Sequence, residues 1–283
     1  MILISVFLCA LAALLAMPAD ALAWGPGVHT AAARFVLANL DLLPVHVAGV
    51  LAQFPNSFFY GCLSADFFVG KGTRVRPGHS HNWDSADRLL EAAHTPQLMS
   101  HALGYASHLA ADVVAHSIYV PGVLASTHLP SGPTHVYIEM QADSRLTGGL
   151  GRAGKLSRRL QRAVDRSMVC ALEKNPLSYQ CRKRVFRSGE RLSCLPGWNR
   201  SLMLAQRLMP LPEGWHDLDE MFTLSLRSVL DVLRDVNGTT LRGFDPIGSR
   251  ELARAKRGVR PAVHPCLDEL PALPGADLQQ EVA

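Results

Sequence analysis

Apolar residues recur with a helical period along most of the chain. Val28 to Leu40 predicts one helix, and Pro44 opens a second over Val45 to Gln53. Asn56 to Gly72 mixes aromatic residues with glycine and reads as loop with a short turn. Asp84 or Ser85 caps a helix that runs through Ala93. Thr95-Pro96 starts a central helix extending to about Tyr119. Pro121 to Pro133 reads as loop, Thr134 to Thr147 as helix, and Gly148 to Gly154 as a flexible break. Residues 155–174 form a basic amphipathic helix carrying Arg158, Arg159, Arg162 and Arg166, read as a solvated face. Cys181 to Pro196 has no decisive pattern, whereas Asn199 to Met209 and Asp217 to Val236 are helical. No strand-like alternation of useful length and no internal repeat occurs. The pattern predicts an all-α fold: one helical domain over 24–260 and a tail, 261–283, rich in proline and acidic residues and expected to lack order.

The first 23 residues differ from the rest. Ile2 to Met17 is apolar and uncharged, and Ala21-Leu22-Ala23 fits the small-x-small pattern of a signal peptidase site. The run is shorter than the roughly 20 apolar residues that span a membrane. Residues 1–23 are therefore expected to be a cleaved signal peptide, with an uncleaved anchor as the alternative, and the mature protein to be secreted or periplasmic. Removing them also removes Asp20 and no basic residue, so the formal charge rises from +4 to +5. That mild basicity suits an anionic surface without requiring one. Cys9 leaves with the signal. Cys62, Cys170, Cys181, Cys194 and Cys266 remain, an odd number, with one or two bridges plausible among the last four. No CxxC spacing points to a zinc ribbon, and no Gly-x-Ser-x-Gly points to a serine hydrolase.

Histidines narrow the search for chemistry. Ten of the 12 lie between His29 and His135. His108, Asp112 and His116 sit at i, i+4 and i+8, within about 80° of one helix face. Gly104, Ala111 and Ala115 beside them offer no charge partner, so burying the three would be costly unless a metal neutralised the carboxylate and used the imidazole lone pairs, or side chains from elsewhere satisfied them. His108 and His116 are about 12 Å apart along such a helix, too far for one ion, but Asp112 can bridge two. His135 and Glu139 are one helical turn apart; alone they read as a surface pair, but downstream of His108, Asp112 and His116 they can chelate a single ion. Asp66 lies in a Ser-x-Asp segment, and His79 and His81 precede a helix; any of these can be a ligand. Cleavage after Ala23 would free the Trp24 α-amine, whose low pKa relative to lysine lets it bind a metal together with its own carbonyl, close to His29.

These pieces together resemble the zinc-dependent phospholipase C family, which is related to the zinc-dependent single-strand nucleases. The likeness rests on a mature N-terminal Trp24-Gly25 followed by His29, Asp66 in Ser-x-Asp, His81-Asn82-Trp83, the segment Ala102 to Ser117 with His108 and Asp112, and His135-x3-Glu139. It covers Trp24 to about Asp143 and leaves residues 150–283 unrecognised. The resemblance implies a multi-helix bundle around a trinuclear zinc site. One zinc would be held by Asp66, His81, His108 and Asp112; a second by the Trp24 amine and carbonyl, His29 and Asp112; a third by His116, His135 and Glu139. His81 is preferred to His79 because it matches the family's His-Asn-Trp. Three residues separate Asp112 from His116, where the best-known bacterial members have five. The shorter spacing resembles the glycosylphosphatidylinositol-phospholipase branch, and it leaves His128 as the alternative ligand. The resemblance further implies hydrolysis of a glycerophospholipid at a membrane surface by zinc-activated water, with Asp66 orienting or deprotonating that water. A monomer is expected, with no specific nucleic-acid partner. A nuclease on the same metal core stays open because Phe58, Phe59, Tyr60 and Phe67 crowd the Asp66 segment and can line a base or lipid pocket, or simply the core. A zinc-stabilised protein without turnover also stays open.

Overall fold

The computed structural model describes residues 24–68, 79–127, 131–147, 161–193, 197–211, 218–261, 267 and 269–273. Among them every regular element is a helix and no strand occurs. The central element is α5, Pro96–Val114, which continues through a π-helical turn, Ala115–Tyr119, into α6, Val120–Ala125. This rod is long and apolar enough to cross a membrane by length and composition alone, but 94 % of its most apolar window is buried inside the protein. It is the axle of the buried core. Thr95 starts it, its side chain accepting from the Leu98 N–H.

Around the axle lie α1 (Pro26–Ala38), α2 (Val45–Gln53), α3 (Pro55–Ser64), α4 (Trp83–Glu91) and α11 (Leu218–Arg234). Helix α7 (Ser131–Thr147) packs on α1 and α6, and α12 (Ser249–Ala255) packs on α6 and the π turn. Helices α8 (Arg162–Ala171), α9 (Pro176–Ser193) and α10 (Trp198–Leu208) form the remaining flank.

Helices α3 and α5 cross at close range. A β-carbon on Gly61 would stand 2.1 Å from the His101 carbonyl oxygen, and one on Gly104 would stand 2.2 Å from that of Phe58. Two glycines face to face let the two backbones touch, which no larger residue permits. This explains why 55–64 is helix rather than the expected loop: its glycine serves the crossing, while Phe58, Tyr60 and Leu63 fill the core on the same helix.

Other expectations also change. The expected loop from Pro121 to Pro133 is helical as far as Ala125 and again from Ser131. Pro121 has no N–H to give the preceding turn, and the wider π turn just before it accommodates the loss. The patternless stretch from Cys181 to Pro196 is largely α9, because its inward row, Tyr179, Lys183, Phe186 and Glu190, mixes polar with apolar residues. The tail is not wholly without a seat: Leu267 and Leu270 are buried, and Arg227 donates to the carbonyls of Leu270 and Pro271. Cys62, Cys170 and Cys181 are free thiols, so neither Cys170 nor Cys181 takes part in an expected bridge. Cys194 and Cys266, Arg158 and Arg159, all of residues 1–23 and most of 261–283 lie outside the described residues.

Candidate metal centre

One face of α5 presents His108 and Asp112, both buried, towards side chains from three other elements. His108 Nδ1 lies 2.8 Å from the Cys62 carbonyl of α3. A carbonyl only accepts, so Nδ1 carries a proton and the ring turns its Nε2 inward. Asp66 sits in the 3-10 turn Ala65–Phe67 that ends α3 and is fully buried. The α3–α5 crossing thus delivers Asp66 to 3.8 Å from His108 Nε2.

His81 arrives from the segment before α4. Its Nδ1 is 3.2 Å from the Ser80 hydroxyl, and its Nε2 lies 3.2 Å from Asp66, 3.0 Å from Asp112 and 3.0 Å from His108 Nε2. His79 stands behind: its Nδ1 accepts from the His81 N–H, and its carbonyl accepts from the Ser85 hydroxyl. Tyr105, on the same helix as His108, donates to the Ser80 carbonyl. Asn82 caps α4 and Trp83 donates to the Phe244 carbonyl at 3.0 Å, so the His-Asn-Trp motif aims, caps and anchors in turn.

His29 comes from α1. Its ring stacks on His108 at 3.9 Å, and its Nε2 faces Asp112 Oδ1 at 3.2 Å. Asp112 therefore divides its carboxylate. Oδ1 faces His29, and Oδ2 faces His81 at 3.0 Å and His108 at 3.1 Å. Trp24, ahead of His29, is fully buried, with its ring stacked on Tyr119 at 5.1 Å and its Nε1 donating to Ser225 Oγ at 3.0 Å. The start of α1 has no side-chain cap of its own. Asp143 of α7 supplies one, accepting from the N–H groups of Gly27 at 3.2 Å and Val28 at 2.7 Å. A β-carbon at Gly25 or Gly27 would meet that carboxylate within 2.7 Å, which accounts for the small residues after Trp24. Burial pushes the Asp143 carboxyl up to about 7, against the pull of the two N–H groups.

A second group lies further along the rod. His116 falls within the π turn, a feature common at functional sites, and faces His135 with ring centroids 5.2 Å apart. His135 Nε2 is 2.8 Å from Glu139 Oε1, one turn on along α7. One ligand atom from each of the three lies within 4.8 Å of the others. His128, the alternative to His116, lies outside the described residues.

The donors fit a metal. His29 Nε2, His135 Nε2 and both Asp112 oxygens are buried and satisfy no hydrogen-bond geometry. Such groups are costly to bury unpaired. Burial and the neighbouring His108 push the His29 pKa down; burial likewise lowers that of His135, with His116 adding to it. Lone pairs are thereby exposed rather than protonated. Burial opposes charge on His108 and Asp112, but their mutual attraction wins, so His108 is raised and Asp112 held well below the usual carboxylate range. A cluster of imidazoles and carboxylates converging on shared points suits zinc.

The sequence did not single out a polar cluster behind Asp66. Asp165 of α8 accepts from Tyr60, Tyr179 and Lys183, each at 2.6 Å. The Lys183 ammonium also stands 4.9 Å from the Tyr60 ring. Phe67, next to Asp66, packs edge-on against Tyr60 at 5.2 Å and Phe186 at 5.1 Å. His101 Nε2 is 3.0 Å from the Ser64 hydroxyl. The only signal in the sequence was the inward spacing on α9. Phe58, Tyr60 and Phe67 are fully buried, so these three are core rather than a stacking platform.

A family model described as zinc-dependent phospholipase C matches residues 28–175, just over half of the chain. No curated protein and no solved structure matches.

Proposed function

The chain belongs to the zinc-dependent phospholipase C family, and from that premise we propose that it hydrolyses glycerophospholipids on the glycerol side of the phosphate. The observation that carries this reading is the divided carboxylate of Asp112, one oxygen towards His29 and the other towards His81 and His108. A shared carboxylate between two nitrogen-bearing corners suits two neighbouring ions clamping one phosphodiester. We assign Asp66, His81, His108 and Asp112 to one zinc, Trp24 with His29 and Asp112 to a second, and His116, His135 and Glu139 to a third.

When bound, zinc supplies Lewis acidity towards phosphate oxygens and makes a water acidic enough to attack at neutral pH. The protein's own contribution is positional. The Cys62 carbonyl locks the tautomer and orientation of His108. Ser80, His79 and Tyr105 hold the strand of chain that aims His81. Asp66, buried and fixed at the end of α3, orients or deprotonates the attacking water. Cys62 is no nucleophile, since burial pushes its thiol pKa up and keeps it protonated. Residues 1–23 serve export, and their removal frees the Trp24 amine for the second ion. The protein works as a monomer. The nuclease alternative draws little from Phe58, Tyr60 and Phe67, which are occupied in the core.

The test uses the zinc-loaded chain beginning at Trp24, offered phosphatidylcholine or single-stranded DNA, with and without chelator. Diacylglycerol should form from the lipid only without chelator, and the DNA should stay intact. Asp66→Asn should lower kcat by about a hundredfold or more. DNA cleavage without lipid turnover would replace this reading with the nuclease, and bound zinc with no turnover of either would leave a stabilising metal only.

A further inference from the structure

Residues 176–211, beyond the family match, concentrate two properties. They hold seven basic residues against one acidic, a net +6, whereas the whole chain carries +4. They also hold Leu177, Val185, Met203, Leu204 and Leu208, five of the seven exposed large apolar side chains among the described residues. Leu177 is 78 % exposed and Leu208 64 %. The one acidic residue, Glu190, is buried.

Helical geometry gathers these residues onto two outward faces. On α9, Leu177, Cys181 and Val185 lie at i, i+4 and i+8 and are all exposed, with exposed Arg184 and Arg191 on the same side. On α10, Arg200, Met203, Leu204, Arg207 and Leu208 fall within a sector of about 140° and are all exposed. No carboxylate of the described residues pairs with Arg184, Arg191, Arg200 or Arg207. Arginine beside exposed leucine and methionine is the composition of a helix lying on an anionic lipid surface, where apolar side chains enter the headgroup boundary and guanidinium groups pair with phosphates. An ordinary solvated face would carry both signs of charge and few large apolar groups.

The inner faces of the same helices pack against elements that carry the candidate site. Phe186 of α9 packs on Phe67, the neighbour of Asp66. On α10, the carbonyl of Leu202 accepts from Gln141 at 2.9 Å, and just beyond its end the Met209 carbonyl accepts from Tyr137 at 3.0 Å. Tyr137 and Gln141 share α7 with His135 and Glu139. A membrane touching α9 and α10 would therefore sit one helix away from two parts of the candidate centre.

We propose that the outward faces of α9 and α10 form a docking surface for anionic phospholipid membranes. The proposal rests on the lipid-hydrolase reading only for its purpose, because vesicle binding can be measured without turnover. The chain beginning at Trp24 is sedimented with phosphatidylcholine vesicles, with and without phosphatidylglycerol, at low and high salt. Phosphatidylglycerol should raise binding and salt should weaken it. Arg200→Glu/Arg207→Glu and Leu204→Ser/Leu208→Ser should each weaken binding about tenfold or more. Leu177→Ser/Val185→Ser on α9 provides the second line should an α10 variant fail to fold by circular dichroism. Zinc content and turnover of a monomeric short-chain phosphatidylcholine should stay at the parent level in all three. Parent-level vesicle binding by the folded variants, or no binding by the parent protein, overturns the proposal. So does a concentration-dependent dimer in sedimentation that Leu204→Ser/Leu208→Ser abolishes, since the face would then belong to a second copy. Absence of monomeric-lipid turnover alongside normal vesicle binding would overturn the hydrolase reading and leave the docking surface standing.

Discussion

His108 and Cys62 are joined by a 2.8 Å hydrogen bond from an imidazole Nδ1 to a backbone carbonyl on a different helix. The bond exists because α3 and α5 cross with Gly61 against Gly104. It fixes which nitrogen of His108 faces the candidate centre and where that nitrogen points. The candidate metal centre is thus tied to a helix crossing made of two residues that have no side chain.

Gly104→Ala tests that link. The added methyl would stand 2.2 Å from the Phe58 carbonyl oxygen, a backbone atom that cannot step aside. The helices must separate, at a cost of about 1–3 kcal/mol or more from overpacking. Thermal denaturation should show the loss. Equilibrium dialysis should show weaker zinc binding as well, which an ordinary core defect remote from the centre would not produce.

Trp24 offers a test of how the site is completed. A form retaining a single residue before Trp24 keeps the buried ring, its stack on Tyr119 and its bond to Ser225, but converts the amine to an amide without a lone pair to donate. Metal analysis should find one zinc fewer, with activity strongly reduced and stability nearly unchanged in the metal-free state. Trp24→Ala should behave differently, costing about 3–5 kcal/mol of stability through the cavity it leaves. Full activity in the extended form would remove the Trp24 nitrogen from the ligand set.

The Asp165–Lys183 pair predicts strong non-additivity. Asp165→Ala strands a buried ammonium and two phenols, and should destabilise by about 3–5 kcal/mol in chemical denaturation. Lys183→Met should cost less, because Asp165 keeps both tyrosine donors. Combining Lys183→Met with Asp165→Leu should recover part of the loss. Equal, additive costs would mean that the pair is not coupled.

His101 should impose an acid limit. Burial pushes its pKa from 6.5 down to about 3, so the unfolded chain takes up a proton between those values and the folded chain does not. Stability from this group is complete above about pH 6.5 and falls as pH drops towards about 3, by up to about 4 kcal/mol. Urea midpoints of the metal-free protein and of His101→Gln, followed from pH 7 to 4, should diverge, with the parent losing more. Parallel curves would show that His101 is solvated or protonated in the folded state.

The sequence by itself determined the helical class, because apolar periodicity is a local property and the helices follow it closely at Val45–Gln53 and along the central rod. It also pointed to candidate ligands: His-x3-Asp and His-x3-Glu spacings place the two side chains of each pair on one helix face without any knowledge of the fold. The family resemblance, and not spacing, favoured His81 over His79 and divided the ligands among three ions. Only the tertiary structure decided that 55–64 is a helix, since its glycine reads locally as loop and becomes intelligible only against Gly104. It alone set Asp143 as the cap of α1, 115 residues away from Val28 in sequence, and gathered Tyr60, Asp165, Tyr179 and Lys183 behind Asp66. These are pairings between distant segments, fixed by how helices pack, and no periodicity along the chain encodes them. The exposed arginine and leucine faces of α9 and α10 belong to the same class: the charge was countable in the sequence, but which side of each helix meets the core was settled by Phe67 and Gln141.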